Sequence, residues 1–112
     1  MADRKPNLPN KRDVVVLEFS CDPKTGGCKP GNADIGSDLV LLCAVGSRIE
    51  LTWTHAIPLY PADNPIVLEK DEQRLYAVDV KSDPSNKGRY QYSQTCDGAK
   101  CSRGSDPEMI VP

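Results

Sequence analysis

The sequence predicts an all-β fold, an antiparallel Greek-key sandwich of about seven strands. Ten prolines and eight glycines are spread over the 112 residues and divide the chain into short segments. Several of these segments are rich in β-branched residues or alternate between apolar and polar positions, as strands with one buried face do. No segment keeps the apolar period of a helix over several turns. Together these observations favour strands and turns over helices.

The domain organisation follows from the length and from the polar N-terminus. Residues 1–12 combine prolines, asparagines and basic side chains, so we expect a flexible arm there. Residues 13–112 suffice for a single domain with its own core. The chain has 14 lysines and arginines against 16 acidic residues, which argues against nucleic acid as a partner. No apolar run reaches the ~20 residues of a spanning helix, so we expect no membrane span.

The first half of the chain contains three segments with strong strand patterns. Residues 14–19 are mostly β-branched and predict the first strand. Residues 39–45 are apolar at both odd and even positions, which predicts a strand covered on both of its faces. In the next strand Ile49, Leu51 and Trp53 alternate with polar residues and should share a buried face. The cysteine-containing stretch between the first two strands is expected to be a loop.

The second half of the chain begins with a proline-rich segment. Residues 56–65 carry three prolines and are expected to form a crossing loop rather than a strand. Short strands are predicted at residues 66–68 and 74–80. Residues 82–88 have the composition of a turn, which leads into the C-terminal part of the chain.

The C-terminal part has the pattern of a long β-hairpin. Tyr90 and Tyr92 alternate with polar residues and predict a strand with one buried face. A six-residue loop bounded by Cys96 and Cys101 follows, and the apolar residues 109–111 predict a last strand. The predicted core includes Val16, Leu41, Cys43, Leu51, Trp53, Val78 and Tyr90.

Four of the five cysteines lie in two predicted loops, and the fifth, Cys43, lies in an apolar strand. We expect two local disulfides, Cys21–Cys28 and Cys96–Cys101, and a buried thiol at Cys43. Disulfides favour the mature form of an extracytoplasmic protein. The first residues lack the apolar segment of a signal peptide, so a cytoplasmic protein with reduced thiols stays open as the alternative.

A structural zinc site is the second interpretation of the same cysteines. Thiolates of Cys21, Cys28, Cys96 and Cys101 would surround the metal tetrahedrally and join two ends of the sandwich. Paired zinc ligands usually stand two to four residues apart, whereas six residues separate Cys21 from Cys28. The spacing therefore favours disulfides, and a zinc-stabilised cytoplasmic domain is kept as an alternative.

The sequence offers no recognisable catalytic constellation. His55 is the one histidine and falls at the end of the strand that contains Trp53. The signatures of phosphate loops, dinucleotide-binding turns, serine hydrolases and zinc proteases are absent from the sequence. We therefore expect a protein that is not an enzyme and that uses no cofactor.

The order of residues near the C-terminus resembles the end of cupredoxin domains. Tyr90 and Tyr92 lead to Cys96, and Met109 follows before an apolar end, as a copper-ligating cysteine and a later methionine do in that family. The resemblance implies a Greek-key sandwich. As an alternative function it implies copper binding or electron transfer through His55, Cys96 and Met109. Blue-copper centres use two imidazoles, and this chain has one histidine.

A second resemblance is to immunoglobulin-like domains. Cys43 and Trp53 are spaced like their B-strand cysteine and C-strand tryptophan, and Gly88-Arg89-Tyr90 is similar to their tyrosine corner. The second cysteine of those domains would fall at Tyr92, so the inter-sheet bridge of that family is not implied. This resemblance supports the same sandwich and carries no function.

The function expected from these observations is binding without catalysis. A sandwich presents its loops to partners, so we expect a protein or small ligand to bind there. The candidate binding residues are Trp53, His55, Leu59 and Tyr60, which lie in or just before the proline-rich residues 57–65. Exposed apolar side chains at such a rim would suit a protein partner.

Overall fold

A computed structural model of the chain describes residues 14–79, 88–101 and 106–111. These ranges contain eleven strands and no helix, which confirms the predicted all-β class. The predicted arm at residues 1–12 and most of the predicted turn at residues 82–88 lie outside the described residues. In chain order the strands are β1 (Val14–Cys21), β2 (Cys28–Lys29), β3 (Ala33–Asp34), β4 (Leu39–Ala44), β5 (Ile49–Trp53), β6 (Leu59–Tyr60), β7 (Ile66–Leu68), β8 (Gln73–Val78), β9 (Arg89–Cys96), β10 (Ala99–Lys100) and β11 (Glu108–Ile110).

The strands form two sheets, and both sheets are mixed. The five-stranded sheet has the order β2-β1-β4-β8-β6, and the six-stranded sheet has the order β3-β11-β9-β5-β7 with β10 beside β9. Strand β1 runs parallel to β4, and β3 runs parallel to β11. The prediction of a purely antiparallel sandwich is therefore wrong. Between β2 and β4 the chain crosses to the six-stranded sheet, where it forms β3. It then returns to the five-stranded sheet, so β4 runs in the same direction as β1.

The described part has more strands than the sequence predicts because four of them are only two residues long. Cys28–Lys29 and Leu59–Tyr60 both lie in stretches that the sequence marks as loops. Each pairs with a long neighbour, β1 and β8 respectively. Such short ladders are fixed by the neighbouring strand rather than by their own residue pattern.

An apolar core lies between the sheets and centres on three aromatic rings. The ring of Tyr92 meets Phe19 edge to face at a centroid distance of 6.3 Å and Trp53 at 5.6 Å. Such aromatic pairs stabilise beyond the area that they bury. Leu51, Trp53 and Tyr90 are buried there, as predicted.

Three other predicted core residues are not fully buried: Val16, Leu41 and Val78. Val16 is 54% exposed, so its predicted place in the core is wrong. Leu17 and Phe19 face the core instead, because side chains of a strand alternate and only one parity of β1 can point inward. Leu41 is half-buried on the outward side of β4, and Val78 is half-buried but packs against the core.

Replacing Trp53 by alanine should lower the free energy of unfolding by roughly 3–5 kcal/mol, because a large buried ring is removed and a cavity remains. Urea denaturation followed by far-UV circular dichroism measures this loss. Val16→Ala is the matched control, since an exposed strand position should change stability by less than about 0.5 kcal/mol. Equal midpoints for the two variants would contradict the assigned core.

Tyr92 should make stability depend on pH at the alkaline end. Its buried hydroxyl donates to the Gly31 carbonyl at 2.9 Å, and burial raises the pKa of Tyr92 above its ordinary value. Because the folded state favours the neutral phenol, this stabilisation is complete below about pH 10 and is lost as the pH rises further.

Denaturation of the wild type and of Tyr92→Phe at pH values from 7 to 11 tests this dependence. At neutral pH the variant should be about 1 kcal/mol less stable than the wild type, because it lacks the hydrogen bond. Above pH 10 the wild type should lose stability as the pH rises, and the variant should lose less. Parallel pH profiles would show that Tyr92 is not the group responsible.

Candidate functional site

Two hairpins bring four cysteines together at one end of the molecule. In the first hairpin β1 pairs with β2, and Cys21 lies directly opposite Cys28. Residues 22–27 close this hairpin. The Asp22 carboxylate accepts a hydrogen bond from the Lys24 amide at 2.8 Å, which lowers the pKa of Asp22. The loop expected in this region is thus shorter than predicted, because strand pairing continues to both cysteines.

The second hairpin joins β9 to β10 through a two-residue turn. Asp97 and Gly98 have φ angles of 53° and 86°, the left-handed conformation that such turns require. The Asp97 carboxylate also accepts a hydrogen bond from the Arg48 amide at 2.9 Å. Three of the six residues in the predicted loop from Cys96 to Cys101 are therefore in strands. The Asp-Gly pair is the sequence signal that identifies the hairpin.

The cysteines are bonded across the sheets and not within each hairpin. Cys21 pairs with Cys96 and Cys28 with Cys101, at Cα–Cα distances of 6.2 and 5.2 Å. The predicted local pairs, Cys21–Cys28 and Cys96–Cys101, are wrong. Both members of each hairpin point toward the opposite sheet, so each sulfur meets its partner there. We call these four residues the cysteine cluster; Cys43 is the free, buried thiol, as predicted.

A buried glutamine lies beside the cysteine cluster, and the sequence analysis did not single it out. Gln94 Nε2 donates to the carbonyls of Ser20 and Lys29 at 3.0 and 3.4 Å, and it lies 3.8 Å from Cys96 Sγ. Its Oε1 has no hydrogen-bond partner within the described part of the chain. The strand pattern of the sequence contains a signal for its burial. Side chains of β9 alternate, and Gln94 occupies the inward position between Tyr92 and Cys96.

The predicted binding residues do not form one surface. Leu59 is buried in the core, so its prediction as an exposed side chain is wrong, and Trp53 is buried there as well. His55 is exposed just after β5. Tyr60 is 64% exposed and lies on β6, paired with Ala77 of β8. Of the four, Tyr60 belongs to the apolar surface described below.

The predicted copper ligands are not brought together. In the register of β5 and β9, Trp53 pairs with Tyr92 and Ile49 with Cys96, so His55 lies beyond the opposite end of β5. Met109 is buried and pairs with Tyr90, six positions from Cys96 along β9. Six strand positions span about 20 Å. The hypothesis of a copper centre at His55, Cys96 and Met109 is therefore not supported by the geometry.

The outward side of the five-stranded sheet carries a continuous apolar surface, which we call the outer apolar face. Residues directly opposite each other on paired strands share a side of the sheet. One row of such neighbours crosses four strands and the next row crosses three. The outer apolar face consists of Val14, Leu39, Ala77 and Tyr60 in the first row and of Val16, Leu41 and Leu75 in the second.

Several of these side chains are well exposed. Leu75 is 52% exposed and Val14 41% exposed, in addition to Val16 and Tyr60. The third row across the same strands is Glu18, Cys43 and Gln73. Cys43 is thus buried on the outward side and not among the residues between the sheets. Burial, with Glu18 beside it, raises the pKa of the Cys43 thiol.

The described residues fulfil only part of the prediction made for residues 39–45. Residues 39–45 are apolar at both parities, which predicts cover on both faces of β4. The inward residues Val40 and Leu42 are fully buried, whereas Leu39 and Leu41 are only half-buried. The described residues therefore cover one side of β4 and leave much of the other in contact with solvent.

No protein-family model matches the chain, and comparison with curated proteins and with solved structures finds no significant match. A separate search for helices of sufficient length and apolarity to cross a membrane finds none among the described residues.

The disulfide pairing has a direct test. Trypsin cleaves after Lys24 and Lys100, which separates the two cysteines of each hairpin. Mass spectrometry of the non-reduced digest should therefore find the Cys21 peptide joined to the Cys96 peptide. Local pairing would instead join the two peptides of one hairpin and would contradict the structure.

Removal of one bridge by Cys21→Ala with Cys96→Ala should cost roughly 2–3 kcal/mol. The cost is moderate because Cys28–Cys101 still closes a loop with a sequence separation of 73 residues, and the lost bond closes only the small ring between the hairpins. Denaturant unfolding measures the cost. A loss no larger than that of Cys43→Ala would argue against the bridge.

Proposed function

We propose that this protein is a non-catalytic module that binds another protein through the outer apolar face. The observation that carries the proposal is the unbroken pair of apolar rows across the five-stranded sheet, with four large side chains between 41% and 64% exposed. The largest contiguous apolar patch on the surface of a monomeric protein is often a functional one.

The size of the outer apolar face fits the centre of an interface. Strand spacing of about 4.8 Å and a two-residue repeat of about 6.8 Å give each outward position roughly 33 Å². The seven positions of its two rows together then cover roughly 230 Å², less than the roughly 800 Å² that each partner buries in an interface of standard size. The partner must therefore contact the polar surroundings as well.

The chemistry of the face supports a protein as the partner. Its rows contain no lysine or arginine, which disfavours nucleic acid and anionic lipid. Glu18, next to the second row, is the one charged side chain among these outward positions. A flat apolar protein surface with a cationic residue opposite Glu18 is the complement.

The proposal assigns no catalytic role to this face. Cys43 is its nearest nucleophilic side chain, and burial keeps its thiol protonated by raising its pKa. A protonated thiol is a poor nucleophile. His55 follows β5, which belongs to the other sheet.

We also propose a Greek-key, cupredoxin-like connectivity and an extracytoplasmic location. Consecutive strands from β3 to β9 alternate between the two sheets, which supports the crossing connections of a Greek-key sandwich. The two cysteine pairs at disulfide distance support an oxidising compartment. The immunoglobulin-like alternative is disfavoured, because Cys43 lies on the outward side of its sheet.

Photo-crosslinking tests the outer apolar face. A photoreactive phenylalanine analogue placed at Leu75 should capture a discrete protein from an extract of the producing cells, whereas the same group at exposed Thr52 of the other sheet should not. Excess unlabelled wild type should abolish the capture. Competition by Val16→Lys with Leu75→Lys should be weaker by roughly 100-fold or more, because binding would bury two unpaired charges.

Equal competition by the wild type and by the lysine variant would contradict the proposal. Capture of only a second copy of this chain would also contradict it, since the face would then be a dimer interface. Both replaced side chains are exposed, so the lysine variant should fold. Circular dichroism of the variant checks this.

A further inference from the structure

We propose that the cysteine cluster, when its disulfides are reduced, is a Zn²⁺ site in which Cys21, Cys28, Cys96 and Cys101 are the ligands. The sulfur atoms of Cys21, Cys96 and Cys101 lie within 4.8 Å of one another. Cys28 lies outside this group and is joined to it by its bond to Cys101. Four cysteine thiolates around one ion form the commonest kind of structural zinc site.

The backbone already holds the sulfurs near the spacing that zinc requires. A Zn–S distance of about 2.3 Å in a tetrahedron places the sulfur atoms about 3.8 Å apart. Opening the disulfides moves bonded sulfurs apart toward this spacing, while the sulfurs of Cys21 and Cys96 already lie within 4.8 Å of the Cys101 sulfur. We expect rotation of the Cys28 side chain to complete the site while the two hairpins keep their register.

The contact between Gln94 and Cys96 is an independent observation that supports the same site. Its buried Nε2 lies within hydrogen-bond reach of Cys96 Sγ, and N–H donors to sulfur stabilise metal-bound thiolates. Its buried Oε1 finds no partner among the described residues while the cysteines are disulfides. Gln94 acts in this proposal as a positioning residue.

The chemistry balances as follows. Each disulfide takes two electrons and two protons from a dithiol reductant, which is itself oxidised to a disulfide. The four thiols produced then release four protons as Zn²⁺ binds, and the occupied site has a net charge of −2. The site therefore requires a reducing environment and is absent from the oxidised protein.

The zinc proposal does not rest on the outer apolar face. The cysteine cluster joins two hairpins from different sheets, whereas the face lies on the outward side of one sheet. Failure of zinc binding would leave partner capture at Leu75 intact, and failure of partner capture would leave zinc binding intact. Cys43 is a thiol outside the cluster and so provides a matched control.

Anaerobic titration of the phosphine-reduced chain with Co²⁺, a spectroscopic substitute for Zn²⁺, tests the site. We expect one Co²⁺ per chain, the absorption bands of tetrahedral cobalt thiolate, and displacement of Co²⁺ by Zn²⁺. Cys28→Ser and Cys101→Ser should weaken binding by more than about 100-fold, and Cys43→Ser should leave it unchanged. Gln94→Leu should keep the stoichiometry and weaken binding roughly 10-fold, the effect of losing a contact to a ligand.

Three results would overturn the zinc proposal. The first is a reduced chain that keeps its sheet signal in circular dichroism and binds no Co²⁺. The second is Co²⁺ binding by Cys101→Ser that is as tight as binding by the wild type. If reduction unfolds the chain, Zn²⁺ must restore the sheet signal, and failure to do so also overturns it. The oxidised protein, which should bind no Co²⁺, is the control in each case.

Discussion

The pair of bridges between two hairpins of different sheets is the constraint on which much of this structure depends. Cys21 ends β1 of the five-stranded sheet, and Cys96 ends β9 of the six-stranded sheet. Gln94 adds a polar connection at the same place, since it donates to the carbonyls of Ser20 and Lys29. Those two residues are direct partners in the first hairpin, so one buried amide binds both of its strands.

Local patterns predicted the parts of the fold that depend on alternation alone. Ile49, Leu51 and Trp53 share a buried face, as the sequence indicates, because every second residue of a strand points to the same side. The same rule could not orient β1, where residues 14–17 are all apolar and either parity would suit the core. The facing sheet decides between the parities, and it selects Leu17 over Val16.

The cysteine pairing and the candidate site depend on contacts that a linear sequence does not contain. Four cysteines allow three pairings, and spacing alone favours the two short ones. The pairing in the structure follows from strand register and from the side of each strand that faces the other sheet. The residues of the copper hypothesis are kept apart for the same reason, since residues in a family-like order lie at opposite ends of β9 once register is known.

The cysteine cluster and the outer apolar face are physically linked through β1. This strand begins with Val14 and Val16 on the face and ends at Cys21 in the cluster. Its pairing with β4 aligns Val16 with Leu41 and so makes the two rows continuous. A connection that fixes the end of β1 therefore also helps to fix the face. Because disulfides and a tetrathiolate metal ion would both provide it, the binding surface we propose does not require one particular redox state.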